Sequence, residues 1–237
     1  MTGFKHHLPV FALALNMALA GATVSAAEIR GSVSVQQGGL FNERGEGRQD
    51  IPVSVALFPA EGQSLPRASV QQQEMTVSGS RIQPLYTALP RGSRLRFHSE
   101  DGVHHELFTH SHTQPLSVRL DRAGMGSESV VALDEAGDLH WFCRIHAKSY
   151  ARVDVVDTPL VRMLHAGESF EFRDLQPGKW RLRVAAPGAE TRIVEALALT
   201  APPPLQIPLA VKGLAQDARA PAQPVAIEQL FPSQPGL

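Results

Sequence analysis

The sequence predicts an all-β protein made of many short strands. Three observations favour that class. Apolar residues repeatedly alternate with polar ones, turn-forming residues separate the alternating runs, and no helical period of convincing length follows residue 27. Short strands with regular turns are typical of β-sandwiches. With a mature chain of about 210 residues, one large or two small sandwich domains are expected.

Residues 1–27 have the features of a secretory signal peptide. Lys5 supplies the positive charge, Leu8–Ala20 is apolar apart from one asparagine, and small residues around Ala26 offer a cleavage site. The apolar run is shorter than the roughly 20 residues that a membrane span needs. We therefore expect a periplasmic protein without a membrane span after cleavage. The alternatives are an uncleaved anchor or a buried N-terminal helix.

Taken in order, the alternating and β-branched runs predict the remaining strands, with polar or Gly-rich turns between them. These runs are Ile29, Ser32–Val35, Val53–Leu57, Leu95–Phe97, Leu107–Phe108, Leu116–Leu120, Val130–Leu133, Leu139–Cys143, Val153–Val155, Phe170–Phe172, Trp180–Val184, Ile193–Val194 and Leu205–Leu209. Proline predicts an edge or irregular segment at 82–86 and an edge strand at 205–209. A hairpin or loop is expected over 36–50, and a poorly ordered tail over 212–237.

The charge balance and the absence of known catalytic motifs exclude several classes of function. The chain has 22 basic and 23 acidic residues, so nothing favours nucleic-acid binding. No Ser-His-Asp order, paired-carboxylate motif, phosphate loop or dinucleotide fingerprint stands out, and we do not expect an enzyme. Histidine is the unusual residue, because seven of the ten histidines lie between His98 and His146.

Cys143 is the only cysteine, and His146 follows it by three residues. The pair His104-His105 lies upstream. A thiolate with two imidazoles is a donor set that suits copper in a trigonal site, or zinc if a fourth ligand joins. Alternation alone leaves open which of the paired histidines is the donor, because adjacent strand residues point in opposite directions.

The lone thiol is expected to be protected. Exported compartments oxidise free thiols, and a single cysteine cannot form an internal disulfide. Leu139, Trp141 and Cys143 fall on one face of a strand, so Cys143 points inward if the other two face the core. The alternative to metal ligation is a buried thiol that only fills space, as free cysteine often does.

Residues 68–156 resemble the cupredoxin domain, the Greek-key β-sandwich of blue copper proteins. The matching pieces are Leu89–Phe97 ahead of a polar loop, then His104–Phe108, then Trp141–His146. The resemblance implies one copper ion held by His104, Cys143 and His146, with His105 bracing the loop. It implies single-electron transfer or copper holding, and a periplasmic redox or copper-handling protein as partner.

Nearly the whole mature chain is similar to periplasmic cupredoxin-like proteins often labelled methylamine utilization proteins. There a double histidine, a Cys-x-x-His and an Asp-Thr-Pro recur in order, and Asp157–Pro159 supplies the last of these here. The flanks resemble a carboxypeptidase-regulatory-like (transthyretin-like) sandwich, with Ile29–Val33 as its opening strand and Gly167–Val184 as its later hairpin. We therefore expect the cupredoxin-like domain, 68–156, to be inserted into a sandwich made of 28–67 and 157–211. Three consecutive modules are the alternative.

The sequence departs from the cupredoxin pattern after His146. Cupredoxins usually place a weak axial methionine there, and Ser149 stands in its place. A backbone carbonyl, a water, Tyr150 or another histidine could serve instead, or copper affinity could be lost. The rival function is therefore a non-catalytic β-sandwich interaction or structural protein with a degenerate metal site. The remaining histidines of the segment are expected to be solvated or hydrogen-bonded surface residues: His98, His110, His112 and His140.

Overall fold

The computed structural model describes residues 26–37, 50–60, 62–110, 115–124 and 128–211, and these residues form sixteen strands. The predicted all-β class is confirmed. The expected signal peptide up to residue 25, most of the expected 36–50 loop and the expected tail from 212 lie outside the described residues. The described ranges contain no helix with the length and apolar character needed to cross a membrane.

The strands follow one another along the chain as β1 Ala27–Gln37, β2 Pro52–Pro59, β3 Gln72–Ser78, β4 Arg81–Gln83, β5 Tyr86–Pro90, β6 Arg94–Ser99, β7 His105–His110, β8 Ser117–Leu120, β9 Glu128–Ala132, β10 Gly137–Cys143, β11 Tyr150–Val156, β12 Val161–His165, β13 Ser169–Leu175, β14 Gly178–Ala185, β15 Arg192–Ala198 and β16 Leu205–Val211. Each predicted run falls on one of these strands, with ends that differ by a few residues.

The strands pair into four sheets that form two groups. Strands β3 to β11 form a five-stranded sheet, β5-β11-β10-β7-β8, and a four-stranded sheet, β4-β3-β6-β9. We call this group the inner sandwich. The first two strands pair with the last five, as β13-β1-β16 and β12-β2-β14-β15. We call this group the outer sandwich. Within the described ranges β1 and β2 therefore pair only with strands that follow the inner sandwich in sequence.

Each sandwich has its own apolar core, built from the inward face of alternating strands. In β10 the side chains of Leu139, Trp141 and Cys143 are buried, whereas those of His140 and Phe142 are partly exposed, as the alternation predicts. Trp141 packs on Phe97 with ring centroids 4.6 Å apart. The outer core is centred on residues such as Ile29, Leu57, Phe172, Trp180 and Leu182.

Proline marks sheet edges, as the sequence predicts. Pro84 separates β4, at the edge of one sheet of the inner sandwich, from β5, at the edge of the other. The proline-containing strand β16 is also an edge strand, and it pairs in parallel with β1 from Gly31↔Leu205 to Gln37↔Val211. The last strand of the described chain therefore lies beside the first one, in the same sheet.

A buried carboxylate joins the two sandwiches. Asp154 on β11 is fully buried and accepts hydrogen bonds from Tyr86 Oη at 2.9 Å and Arg152 Nε at 2.7 Å. From the outer sandwich, Arg183 Nη1 donates to the same carboxylate at 3.0 Å. Ser54 Oγ lies 2.7 Å from Tyr86 Oη. Burial and the neighbouring Asp154 raise the pKa of Tyr86 far above its usual range, so its hydroxyl keeps the proton that it donates.

Asp154→Ala should destabilise the protein, because Arg152 and Arg183 lose their buried partner and keep the half-exposed Asp138, while the Tyr86 hydroxyl loses its acceptor. Breaking a buried ion pair costs about 3 to 5 kcal/mol, and the partly exposed arginines place the expected loss near the lower end. Urea unfolding of both proteins measures the difference. Asp121→Ala, an exposed carboxylate in the inner sandwich, serves as control and should change stability little. A loss for Asp154→Ala as small as that of the control would contradict this role.

Candidate metal centre

Cys143 lies inside the inner sandwich at the end of β10. Its side chain is 7% exposed and belongs to the apolar core of that sandwich. The pairing of β10 with β7 aligns Cys143 with Leu107. After Cys143 the chain forms a short loop to β11, in which the Ser149 amide donates to the His146 carbonyl at 3.1 Å. That turn brings His146 back over the end of β10.

Two histidine rings lie next to the sulfur, one from strand β7 and one from this loop. Cys143 Sγ lies 3.9 Å from His105 Nδ1 and 3.7 Å from His146 Nδ1. The three donor atoms all lie within 4.8 Å of one another, and the two ring centroids are 4.7 Å apart. His105 is fully buried and His146 is half-buried. The structure therefore brings together Cys143 and His146 as expected, with His105 as the third member.

His104 is not part of this cluster, which corrects the expectation that it would be the upstream donor. It is exposed, whereas His105 opens strand β7 and is buried. Adjacent strand residues point to opposite faces, so only one histidine of the pair faces the core. Leu107 and Thr109 are buried on the same face as His105. The apolar Leu107, two residues after His105, is the sequence signal that could have identified the inward-facing histidine once Leu107 is assigned to the core.

The separations of the sulfur from the two nitrogens fit a metal ion shared by all three residues. An ion with bonds of about 2.3 Å to sulfur and about 2.0 to 2.1 Å to nitrogen places each nitrogen about 3.5 to 3.8 Å from the sulfur. The observed separations of 3.7 and 3.9 Å lie close to that range. A donor set of one thiolate and two imidazoles is typical of copper sites.

Burial favours the neutral form of the His105 imidazole. Burial lowers its pKa, the nearby His146 lowers it further, and the Asp101 carboxylate opposes both effects. A metal requires the unprotonated imidazole nitrogen, so burial favours binding. The other ring nitrogen, Nε2, lies 3.0 Å from Asp101 Oδ2, although the angle is outside the hydrogen-bonding range.

Asp101 is held beneath His105 by the backbone of a turn. The amides of Gly79 and Ser80 donate to its two carboxylate oxygens at 2.7 and 2.9 Å. Burial alone would raise the pKa of Asp101, but these two amides and the neighbouring His105 outweigh burial and hold the pKa below its usual range. The group that faces the imidazole is therefore a carboxylate. Sequence reasoning missed Asp101, because a polar loop residue next to a glycine is usually solvated.

The side chains considered for the axial position have protein partners of their own. Ser149, which stands where methionine is expected, is buried and donates from Oγ to the Ser80 carbonyl at 2.7 Å. Tyr150 lies on the outward face of β11, and its hydroxyl is 2.9 Å from His140 Nδ1. His140 is therefore hydrogen-bonded to Tyr150 and does not belong to the donor cluster. His98 contacts Thr76 at 3.2 Å, while the side chain of His110 and all of His112 lie outside the described part of the chain.

No family model matches the sequence, and no curated protein matches it. Among solved structures, a purple cupredoxin from Nitrosopumilus maritimus is 16% identical with a TM-score of 0.30, and the match covers 35% of this chain and 99% of that chain. Amicyanin from Paracoccus versutus is 11% identical with a TM-score of 0.32, covering 43% and 97%. A copper-containing nitrite reductase from Thermus scotoductus is 17% identical with a TM-score of 0.31, covering 42% and 25%. These matches leave more than half of this chain uncovered.

The two adjacent histidines should behave differently when each is replaced. His105→Gln should lower copper affinity by more than about 100-fold, because losing a donor exceeds the 10- to 100-fold cost of losing a residue that only supports one. His104→Gln, its matched control, should leave the affinity within about threefold. Competition with a chromophoric copper chelator measures both. Equal losses, or a larger loss for His104→Gln, would contradict the placement of these side chains.

Proposed function

We propose that this protein is an exported cupredoxin-like copper protein that binds one copper ion through His105, Cys143 and His146. The observation that carries the proposal is the close approach of Sγ and one nitrogen from each of His105 and His146, within 4.8 Å of one another inside the inner sandwich. Copper fits better than zinc, because structural zinc sites take four protein ligands and this cluster supplies three.

The geometry favours single-electron transfer or copper holding over catalysis. A copper ion bound here supplies one-electron redox chemistry. The protein's contribution is a donor set fixed by a strand end, a short loop and a buried ring. Such a donor set changes little between oxidation states, which keeps reorganisation small. His146 is the most exposed of the three donors and is the natural point of contact for a partner.

The proposal includes the setting of the site. The cupredoxin-like domain, 68–156, is inserted into a second sandwich formed by 28–67 and 157–211. In support, β1 and β2 pair with β12, β13, β14 and β16 and with no strand of the inner sandwich among the described residues. Export to the periplasm rests on the signal features of residues 1–27. The partner is a periplasmic redox or copper-handling protein, in line with the resemblance to proteins labelled methylamine utilization proteins.

The rival proposal is a non-catalytic interaction or structural protein whose metal site has decayed. The observation that favours it is Ser149, since this side chain replaces a sulfur donor and is hydrogen-bonded within the protein. Exposed Lys148 in the same loop adds a positive charge near the cluster. Copper binding separates the two proposals.

Adding one equivalent of Cu(II) to the purified protein should produce the intense visible band of thiolate-to-copper charge transfer. Cys143→Ser, which keeps a polar atom of similar shape, should lose that band. Reversible redox cycling of the coloured protein supports electron transfer, and colour without cycling supports copper holding. If the wild-type protein shows neither colour nor bound copper, the copper proposal is wrong and the interaction or structural role is favoured. Binding of zinc alone would indicate a structural site instead.

A further inference from the structure

The hairpin turn between β3 and β4 contacts Asp101, which lies beside His105, and Ser149, which lies in the loop of His146. Ser78 pairs with Arg81, so the turn consists of Gly79 and Ser80 alone. Both have positive φ, 57° and 58°, as in a type I′ turn. The conformation directs the two backbone amides to one side, and glycine at the first position adopts it without strain. The turn therefore presents both amides to the same carboxylate.

One side of the turn fixes the upstream histidine. The amides of Gly79 and Ser80 hold both oxygens of Asp101, and Oδ2 of that carboxylate lies 3.0 Å from His105 Nε2. The side chain of Asp101 is only 14% exposed. The negative charge 3.0 Å from Nε2 favours a proton on that nitrogen and so leaves Nδ1, which lies 3.9 Å from Cys143 Sγ, free to bind a metal.

The other side of the turn fixes the downstream loop. The Ser80 carbonyl accepts the hydrogen bond from Ser149 Oγ at 2.7 Å, and Ser149 is 1% exposed. The amide of Ser149 closes the turn onto the His146 carbonyl. Methionine has no donor hydrogen, so it could not make this contact with the Ser80 carbonyl. The departure from the cupredoxin pattern at position 149 thus has a structural role.

We infer that the β3–β4 turn is a brace that presets the positions of both histidine donors, with Asp101 and Ser149 as its positioning residues. This inference rests on the proposed copper site and deepens it. A turn that only stabilised the fold would not need a carboxylate held against a donor ring. The brace joins two donors that are 41 positions apart, His105 and His146, through one pair of residues.

Asp101→Asn should lower copper affinity about 10- to 100-fold, the usual cost of removing a partner of a donor histidine. Ser149→Ala should lower it about tenfold, and Ser149→Thr, which keeps the hydroxyl, should restore most of the loss. Both losses should come with a shift of the charge-transfer band and of the reduction potential. Chelator competition, absorption spectra and voltammetry measure these quantities, and thermal unfolding of each apoprotein confirms that the variants fold.

Asp121→Asn and Ser117→Ala, exposed positions elsewhere in the inner sandwich, are the matched controls and should leave affinity and band unchanged. Because both residues act through one turn, the double variant should lose less than the sum of the two single losses. Copper binding by the wild type with unchanged affinity in both variants would overturn the brace alone. Additive losses would also overturn it. Absence of copper binding by the wild type would remove the proposed function and the brace together.

Discussion

The antiparallel pairing of β7 with β10 is the contact on which the candidate site depends. It aligns Leu107 with Cys143, so the inward face of β7 continues the inward face of β10. His105, two residues before Leu107 on that face, then lies beside the thiol rather than in solvent. A shift of the register by one residue would turn His104 inward and expose His105. The strong apolar contacts of Leu107, Leu139 and Trp141 oppose that shift.

The outer sandwich contacts strands β5 and β11 of the inner one. The contact surface combines a small apolar cluster, with Ala56 and Phe58 against Ala88 and Val156, and the polar network around Asp154. Apolar contact tolerates many orientations, whereas a carboxylate shared by two arginines and a tyrosine tolerates few. The network therefore specifies how β5 and β11 sit on the outer sandwich. Strand β11 also ends the loop that carries His146, so the interface and the donor loop share one strand.

The sequence predicted the faces of strands well and their partners less well. Alternation correctly placed Cys143 inward, and the turn signals located most strand ends. The resemblance to cupredoxins implied His104 as the donor, and alternation alone left the choice between His104 and His105 open. In the structure His105 faces the core, because Leu107 on the same strand does and side chains two residues apart share a face. Asp101 and Ser149 could not be predicted, since their partners, Ser80 and its turn, lie about 20 and 70 positions away in sequence.

We propose that the Cys143 sulfur and one nitrogen from each of His105 and His146 bind a single metal ion. X-ray absorption at the copper edge of the copper-loaded protein tests this ligand set, because it counts the atoms bonded to the ion by type. One sulfur and two imidazole nitrogens are expected at bonding distance, with one imidazole lost in His105→Gln and none lost in His104→Gln. A copper ion surrounded only by nitrogen and oxygen atoms would contradict it.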